Sequence, residues 1–525
     1  RAGSGQASAA SAALRAAEFY MRLQCDDGHW GGDYGGPLFL MPGIVVVAYV
    51  TGTMDTLLPA AHRRAMVCYL RNHQQADGGW GTHIESPSTM FGTTLSYVTL
   101  RLLGVARDDD AIIRGRAFMH TYGGALYTSS WAKFWLSVLG VYSWDGVNSI
   151  PPEMWLLPEW CPFHPGKMWC HARMVYLPMC YLYGKRWTYP GAEPAAGRPP
   201  QGVHGEGGAA AAAGGETVDP LIAELRSELY VESDDYGAIP WDAHRHSVAS
   251  IDDYSPITLI MRCAHNALAW YEWALGGPEC NNPVRRAGLA FAMDYMRSED
   301  LQTNFVDIGP VNKTMNMLSM FVAASEKEGH GDPAATYEFR MHALRVDDYL
   351  WVAEDGMKFQ GYNGSQCWDT SFAARAVTEA GLCDFFPESV GKMWGFLERT
   401  QILSTPTSQA TPAMQFESPN ARARYFRHVS KGGWPFSTSA HGWPISDCTA
   451  EGLKAVLALR NTRDVRVGVE TGVLRRISDQ RLFDAVEVVL SMQNEHVDGG
   501  CVALFVAAHC LFVCLFVRLF LHCII

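Results

Sequence analysis

From Ala16 onward the apolar residues recur mostly at helical spacing, in stretches broken by Gly and Pro. Ile44–Val50, Thr93–Leu103, Trp131–Val141, Ile257–Leu275, Met315–Ala324, Phe372–Ala380 and Gly452–Leu459 each carry apolar side chains on one face of a helix with a period near 3.6. Alternation of the kind that half-buries a strand is sparse. The pattern predicts an all-α protein. Residues 1–14 are rich in Ala, Ser and Gly, so the N-terminal segment 1–15 is expected to be disordered. Residues 190–216 bring Pro, Gly and a run of Ala, the composition of a disordered insertion between helices. A polar stretch from Asp234 to Asp253 suggests a boundary between a first domain, 16–245, and a second, 246–500.

A degenerate repeat lies on these helices. Phe19 to Trp30 reads F-Y-M-R-L-Q-C-D-D-G-H-W, and Tyr69 to Trp80 reads Y-L-R-N-H-Q-Q-A-D-G-G-W. Each closes a helix with Gln, passes through an acidic turn and ends on Gly-x-Trp. A split copy runs from Phe396 and Gln401 to Gly433-Trp434. Another begins at Phe483 and reaches Gln493 and Asp498-Gly499-Gly500 without its aromatic residue. A Gln in this position has the reach to bond backbone groups at a neighbouring helix end, with the Trp ring stacked over it. Recurrence along the chain implies helix pairs that need their neighbours for burial.

Composition narrows the function. The chain has 525 residues, ample for two domains. Hydrophobic residues make up 48% and charged residues 18%, with 17 Trp, an aromatic excess that means unusual burial or an aromatic-lined site. A net charge of −12 argues against a nucleic-acid partner. The 14 Cys follow no short-spaced framework and read as free thiols. Asn312-Lys313-Thr314 and Asn363-Gly364-Ser365 fit the glycosylation pattern, with no secretory signal to support their use. The absence of an initiator Met implies an incomplete N-terminus. Residues 501–525 change abruptly to an apolar texture interrupted by His509 and Arg518. They suggest an aberrant tail replacing a lost C-terminus, with a tail anchor as the lesser alternative.

The candidate chemistry centres on Trp443-Pro444-Ile445-Ser446-Asp447-Cys448-Thr449-Ala450-Glu451, preceded by Trp434, Phe436 and His441. A carboxyl buried among rings resists ionisation and suits proton donation. The bland alternative is that Asp447 N-caps a helix over Cys448–Leu459.

Asp447-Cys448-Thr449-Ala450-Glu451, together with the Gln/Trp repeats, resembles the oxidosqualene cyclases of the terpene cyclase/mutase family. Met168 to Met179 (M-W-C-H-A-R-M-V-Y-L-P-M), Gly361 to Thr370 (G-Y-N-G-S-Q-C-W-D-T), Ile308 to Lys313 and Asp355 to Lys358 carry the same resemblance. It runs from about Ala16 to Gly500, apart from the 190–216 insertion. It implies two α/α-barrel domains with one large cavity, the second apparently truncated, in a monotopic protein resting on the endoplasmic reticulum or lipid-droplet surface and facing the cytosol. It implies conversion of 2,3-oxidosqualene to a cyclic triterpene alcohol without cofactor or metal.

The family's roles carry over residue by residue. Asp447 matches the acid that protonates the epoxide, and Cys448 a thiol that hydrogen-bonds it. The squalene–hopene cyclases have Asp-Asp-Thr-Ala there, so Cys448 points to the epoxide substrate. Trp131, Trp169, Trp368 and Phe436 match cavity-lining positions, where aromatic faces stabilise cations without bonding to them. Tyr362, His171, His441 and Ile445 match the cycloartenol-forming branch. Tyr362 and His171 are expected to pair and to orient removal of the last proton, and Ile445 to restrict substrate folding. Ala172 departs from the usual Cys. The lanosterol-forming and other triterpene-forming branches are the alternatives within the family.

Two other classes compete. Cys161, His164, Cys170 and His171 lie close in sequence, but zinc wants four convergent ligands and Pro162 and Pro165 interrupt the spacing. A catalytically inactive, truncated helical-toroid lipid-binding protein would share the fold without the chemistry. No Gly-rich phosphate loop or Asp-rich diphosphate cluster is present.

Overall fold

The computed structural model describes residues 2–193, 218–231, 235–254, 256–274, 282–327, 331–403 and 418–493, with side chains from residue 9. The expected insertion (apart from residues 190–193), the Asp498-Gly499-Gly500 end of the last repeat and the apolar tail lie outside the described residues. The protein is helical, and all seven periodic stretches lie on helices. Most helices start several residues earlier than the apolar pattern does, because the first turn is set by polar or proline residues. Pro310, for example, opens the helix Pro310–Ser325, where its missing N–H costs nothing. Two findings depart from the sequence reading. Residues 2–21 form a helix rather than a disordered segment, Ala-rich composition favouring that state. A short antiparallel hairpin pairs Leu350–Ala353 with Gly356–Phe359.

The chain folds as two compact units interleaved along the sequence. Among the described residues, one comprises those up to 34, 298–308 and those from 362 on, and the other those within 35–297 and 309–361. The division does not follow the boundary expected near 245, because the N-terminal segment is tied to late residues. Trp30 stacks on Tyr20 with centroids 5.0 Å apart, donates its backbone N–H to Thr370 Oγ1 at 3.3 Å, and joins a core containing Cys367, Trp394, Leu397, Trp434 and Val456.

In the larger unit the helix Met41–Val50 is buried on nearly all sides and packs on the helices Met90–Leu102 and Pro310–Ser325. The hairpin lies on the helix Ala60–Asn72. Gly356, at φ 127°, brings its backbone so close that a Cβ would sit 2.5 Å from the Ala65 carbonyl oxygen. Buried charge here is paired: Arg285 donates to Glu153 at 2.7 Å and to Glu272 at 2.9 Å.

The repeats are helix-end clamps. Gln24 Nε2 donates to Gly28 O at 2.9 Å and Ser389 O at 3.2 Å. Gln74 Nε2 donates to Gly78 O and Ala111 O, each at 2.8 Å. Gln401 Nε2 donates to Gly432 O at 2.7 Å and Arg481 O at 3.0 Å. In each case the second acceptor lies in the first turn of a following helix. The indole N–H of Trp30, Trp80 and Trp434 reaches a carbonyl in the last turn of the preceding helix, at Tyr20, Leu70 and Leu397. Helix ends leave such carbonyls without intrahelical partners. Each clamp satisfies them while burying a ring of roughly 150–250 Å².

Candidate active site

The helix Ser446–Leu459 begins where the chain turns inward after Gly442, at φ 64°, and Pro444. Its N-cap is Ile445, in extended conformation and without a side-chain cap bond. Asp447 is therefore the second helical residue, not the cap. Ser446, Cys448 and Thr449 turn inward and are buried, whereas Asp447 is exposed and makes no hydrogen bond among the described residues. The expectation of a buried acid is corrected: at about 100° per residue Asp447 shares the outward face with Glu451, one turn on. The expected Cys448–Asp447 hydrogen bond is also absent among the described residues, because neighbouring side chains on a helix do not face each other. The Cys448 thiol is turned into the packing with the helix Gln366–Glu379. Burial first, then Cys367 and the nearby Asp447 charge, raise its pKa far above that of a free thiol. Glu451 receives bonds from Lys454 at 2.7 Å and Arg375 at 2.9 Å, which hold its pKa below the usual value despite an opposing desolvation.

Around this helix the same unit gathers an aromatic surface. Backbone N–H groups at the start of the helix Gln366–Glu379 are satisfied by the segment after Trp434: Cys367 donates to Ser437 O at 3.0 Å, and Trp368 to Phe436 O at 3.1 Å. The Ser437 hydroxyl bonds Asn363 Oδ1 at 2.6 Å. These bonds bring Tyr362, Trp368 and Phe436 together. Phe436 lies 4.9 Å from Tyr362 and 5.8 Å from Trp368, the latter nearly parallel at 27°. His441 meets Tyr362 edge-on at 5.8 Å and 73°. Ile445 is half-buried, and its N–H donates to Trp434 O at 3.2 Å.

One member was missed. Tyr34 packs against Phe436 at 5.0 Å and Tyr362 at 5.8 Å. Its pKa is raised by burial first and then by the Cys448 charge, so it lies near the head of the acid helix. The signal available was its place four residues after the repeat Trp30, in a Gly-rich run that carries the chain away from the clamp.

His441 itself is fully buried, and desolvation lowers its pKa to about 4, with the Ile308 carbonyl opposing. It is neutral at pH 7. Its Nε2 lies 3.1 Å from Ile308 O. A carbonyl only accepts, so Nε2 carries the proton.

The other expected site residues belong to the larger unit. Trp131 is buried in the helix Ser130–Leu139 against Phe134, a core position in its own unit. Trp169 caps the helix Cys170–Lys185 and is 43% exposed, its ring 4.6 Å from that of His171. His171 Nδ1 lies 3.3 Å from Cys170 Sγ. Tyr362 and His171 thus fall in different units, and their pairing remains an expectation. Cys161, His164, Cys170 and His171 do not converge as a metal site among the described residues. His164 Nδ1 instead accepts the Gly166 N–H at 2.9 Å. The described cysteines are all free thiols, and both sequon asparagines, Asn312 and Asn363, are buried.

Known proteins resemble this sequence. Residues 13–201 match the squalene-hopene cyclase N-terminal domain. Lanosterol synthase of Mus musculus is 41% identical over 491 residues, 93% of this chain and 58% of that protein. Cycloartenol synthase of Dictyostelium discoideum is 41% identical over 487 residues, 93% of this chain and 59% of that protein. Alpha-onocerin synthase LCD of Lycopodium clavatum is 36% identical over 486 residues, 92% of this chain and 56% of that protein. The chain spans a little under three fifths of the length of these relatives.

Proposed function

We propose that the chain belongs to the family of squalene–hopene and oxidosqualene cyclases and that it cyclises 2,3-oxidosqualene to a sterol precursor, cycloartenol. The observation that carries this reading is the partly exposed aromatic surface of Tyr34, Tyr362, Trp368 and Phe436, grouped in one unit with the first turn of the Asp447 helix.

Asp447 gives its proton to the epoxide oxygen as the C–O bond opens. An epoxide is a weak base, so the donor needs a dry site; the bound polyene supplies that dryness by displacing water from the exposed carboxyl. Cys448, the next residue along the helix, tunes the acid through its proximity. The carbocation then moves through successive ring closures. Aromatic faces attract it electrostatically, by about 0.5–2 kcal/mol each, without trapping it covalently. A neutral His441 adds no competing positive charge. Ile445, next to the acid, restricts how the chain folds before closure. A final proton is then lost from the last cation. That proton balances the one donated, so the reaction is an isomerisation needing no cofactor.

We also propose monotopic attachment to the endoplasmic reticulum or a lipid droplet, where the substrate dissolves. The support is the outer face of the helix Leu259–Ala274, where Leu259, Ile260, Trp270 and Trp273 are each more than 60% exposed. Among the described residues no helix is long and apolar enough to cross a membrane.

The test is expression in cells that lack a sterol cyclase but accumulate oxidosqualene, with analysis of neutral lipids. Cycloartenol is the expected product. Lanosterol would replace the product assignment and keep the reaction, and no cyclic product would overturn the reading for this chain.

A further inference from the structure

His441 is held from one side by a segment that belongs to no motif of the acid helix. Residues 299–308 leave the end of the helix Pro283–Gln302 through a tight loop with three non-glycine residues in the left-handed region: Asn304 at φ 51°, Phe305 at φ 61° and Asp307 at φ 68°. For such residues this conformation costs on the order of 1 kcal/mol each and persists only where the surroundings impose it. The surroundings do so at several points. Phe305 N donates to Asp300 O at 2.7 Å, Asp307 N to Thr303 Oγ1 at 3.0 Å, and Asn304 Nδ2 to Ala440 O at 3.2 Å. Gly442 sits so close to the loop that a Cβ would lie 2.2 Å from Gln302 O. Segments 299–308 and 440–442 are therefore stitched together on both sides of His441.

The centre of this contact is the backbone of one residue, Ile308, whose N–H and carbonyl belong to successive peptide groups. The Ile308 N–H donates to Glu299 Oε1 at 3.1 Å, and the Ile308 carbonyl accepts from His441 Nε2, also at 3.1 Å. Glu299 is 1% exposed and faces Asp300, Asp307 and Arg427. We infer that Glu299 is a positioning residue for His441: by anchoring the Ile308 N–H it restrains the backbone torsions that aim the Ile308 carbonyl, and so the tautomer and ring plane of the imidazole and the edge that His441 presents to Tyr362. This rests on the reading of His441 as part of the substrate-facing surface. The peptide that bears the Ile308 carbonyl is held at its own N–H by Asn312, whose Oδ1 accepts from Gly309 N at 2.9 Å; without the Glu299 anchor on the preceding peptide, it would pivot about that one bond and carry its carbonyl off the ring nitrogen. The imidazole would then lose the one interaction that selects Nε2–H. A cyclisation steered by the surface at Tyr362 would respond with a broader product mixture rather than with a slower first step.

The experiment reads the tautomer directly. The whole chain is labelled at the histidine ring nitrogens with a heavy isotope, and His441 is assigned among the 18 histidines by the signal lost in His441→Gln. The wild type should show a protonated Nε2 and a bare Nδ1. Glu299→Gln keeps an acceptor oxygen and should keep that spectrum and the product profile. Glu299→Met removes the acceptor and should give mixed tautomers, with minor products rising several-fold while turnover of oxidosqualene falls less than twofold. An Nδ1–H tautomer in the wild type or in Glu299→Gln overturns the inference even if Glu299→Met does not fold. So does a wild-type spectrum in a folded Glu299→Met. Failure of the proposed function would appear separately, as no cyclic product from the wild type, and would leave the tautomer result readable.

Discussion

The Trp80 and Trp434 clamps are one device built twice, in different units, and their difference isolates the chemistry. The Trp80 backbone N–H donates to Thr93 Oγ1 at 2.9 Å, and that hydroxyl returns to Trp80 O at 3.3 Å. Trp434 does the same with Thr449, at 3.0 and 3.3 Å. Thr93 is the fourth residue of the helix Met90–Leu102, and Thr449 the fourth of Ser446–Leu459. Aligned on these threonines, Phe91 corresponds to Asp447, Gly92 to Cys448, Leu95 to Glu451 and Ser96 to Gly452. The first helix carries a buried Phe where the second carries an exposed acid. The first also takes its helix-start carboxylate from elsewhere: Asp252 accepts the Met90 and Phe91 N–H groups at 2.8 and 2.7 Å. A carboxylate that serves as a cap looks like Asp252, clamped by two backbone donors. Asp447 is free of that duty and is available to react.

The largest expected effect follows from that contrast. Asp447→Asn should lower cyclisation by at least ~10³-fold, within the range of a general acid, as measured by neutral-lipid product from oxidosqualene. Its thermal unfolding should stay within about 0.5 kcal/mol of wild type, as for an exposed group without partners. Asp252→Asn should invert the pattern. Its amide offers one acceptor where two N–H groups need satisfying, costing about 1–3 kcal/mol. Retained cyclisation in Asp447→Asn would erase the distinction between the two carboxylates.

The clamps come next. Trp80→Ala and Trp434→Ala each remove a fully buried ring and an N–H bond to a helix end, and each should cost about 3–5 kcal/mol in denaturant unfolding. Nearly equal losses would confirm that the device is structural in both units; a loss confined to one would break the equivalence.

This equivalence explains what was legible in the sequence. Gln24, Gln74 and Gln401 were readable because the motif recurs, although of their bonds only those to Gly28 and Gly78 are local in sequence. The helices were readable because an apolar period survives wherever one face is buried. The interleaving of the units was not, since nothing local in residues 19–34 announces that Trp30 will meet Thr370. The same limit governs the site. Asp447, Cys448, Tyr362, Trp368, Phe436, His441 and Ile445 were found through motif resemblance, and the fold brings them into one unit. Their orientation was not legible: whether Asp447 points inward depends on helix phase, which Thr449 sets through Trp434. Tyr34 and Glu299 escaped because each acts through partners far away in sequence.

Helix phase offers a smaller test. A Cβ at Gly452 would sit 2.8 Å from Trp434 Cδ2, so Gly452→Ala should cost about 1–3 kcal/mol through overpacking. It should also lower cyclisation, because relieving the clash rotates the turn that carries Asp447. At the corresponding position of the other clamp Ser96 is buried, with an Oγ that has no hydrogen-bond partner among the described residues. Ser96→Ala should be neutral or slightly stabilising. Calorimetry of the two variants compares the phase constraint directly, and an innocuous Gly452→Ala would remove it.

The smallest effect concerns Glu451, whose counterpart in the other clamp is the buried Leu95. Glu451 instead lies on the outer face with Asp447, bonded to Lys454 and Arg375. Its pKa is lower in the folded protein than that of an ordinary glutamate. A group depressed by folding contributes stability above its unfolded pKa and loses that contribution as pH falls through the folded value. Glu451→Gln should therefore be slightly less stable than wild type near pH 7, and the gap should close as pH drops below about 4. The pairs are partly solvated, so the effect belongs with those of exposed ion pairs and should shrink further in high salt. Denaturant midpoints at pH 7 and pH 3.5, with and without salt, read it. A gap that widened on acidification would mean that Glu451 is held by something other than these two cations, and the outer face of the acid helix would then no longer be a solvated counterpart to the buried face at Leu95.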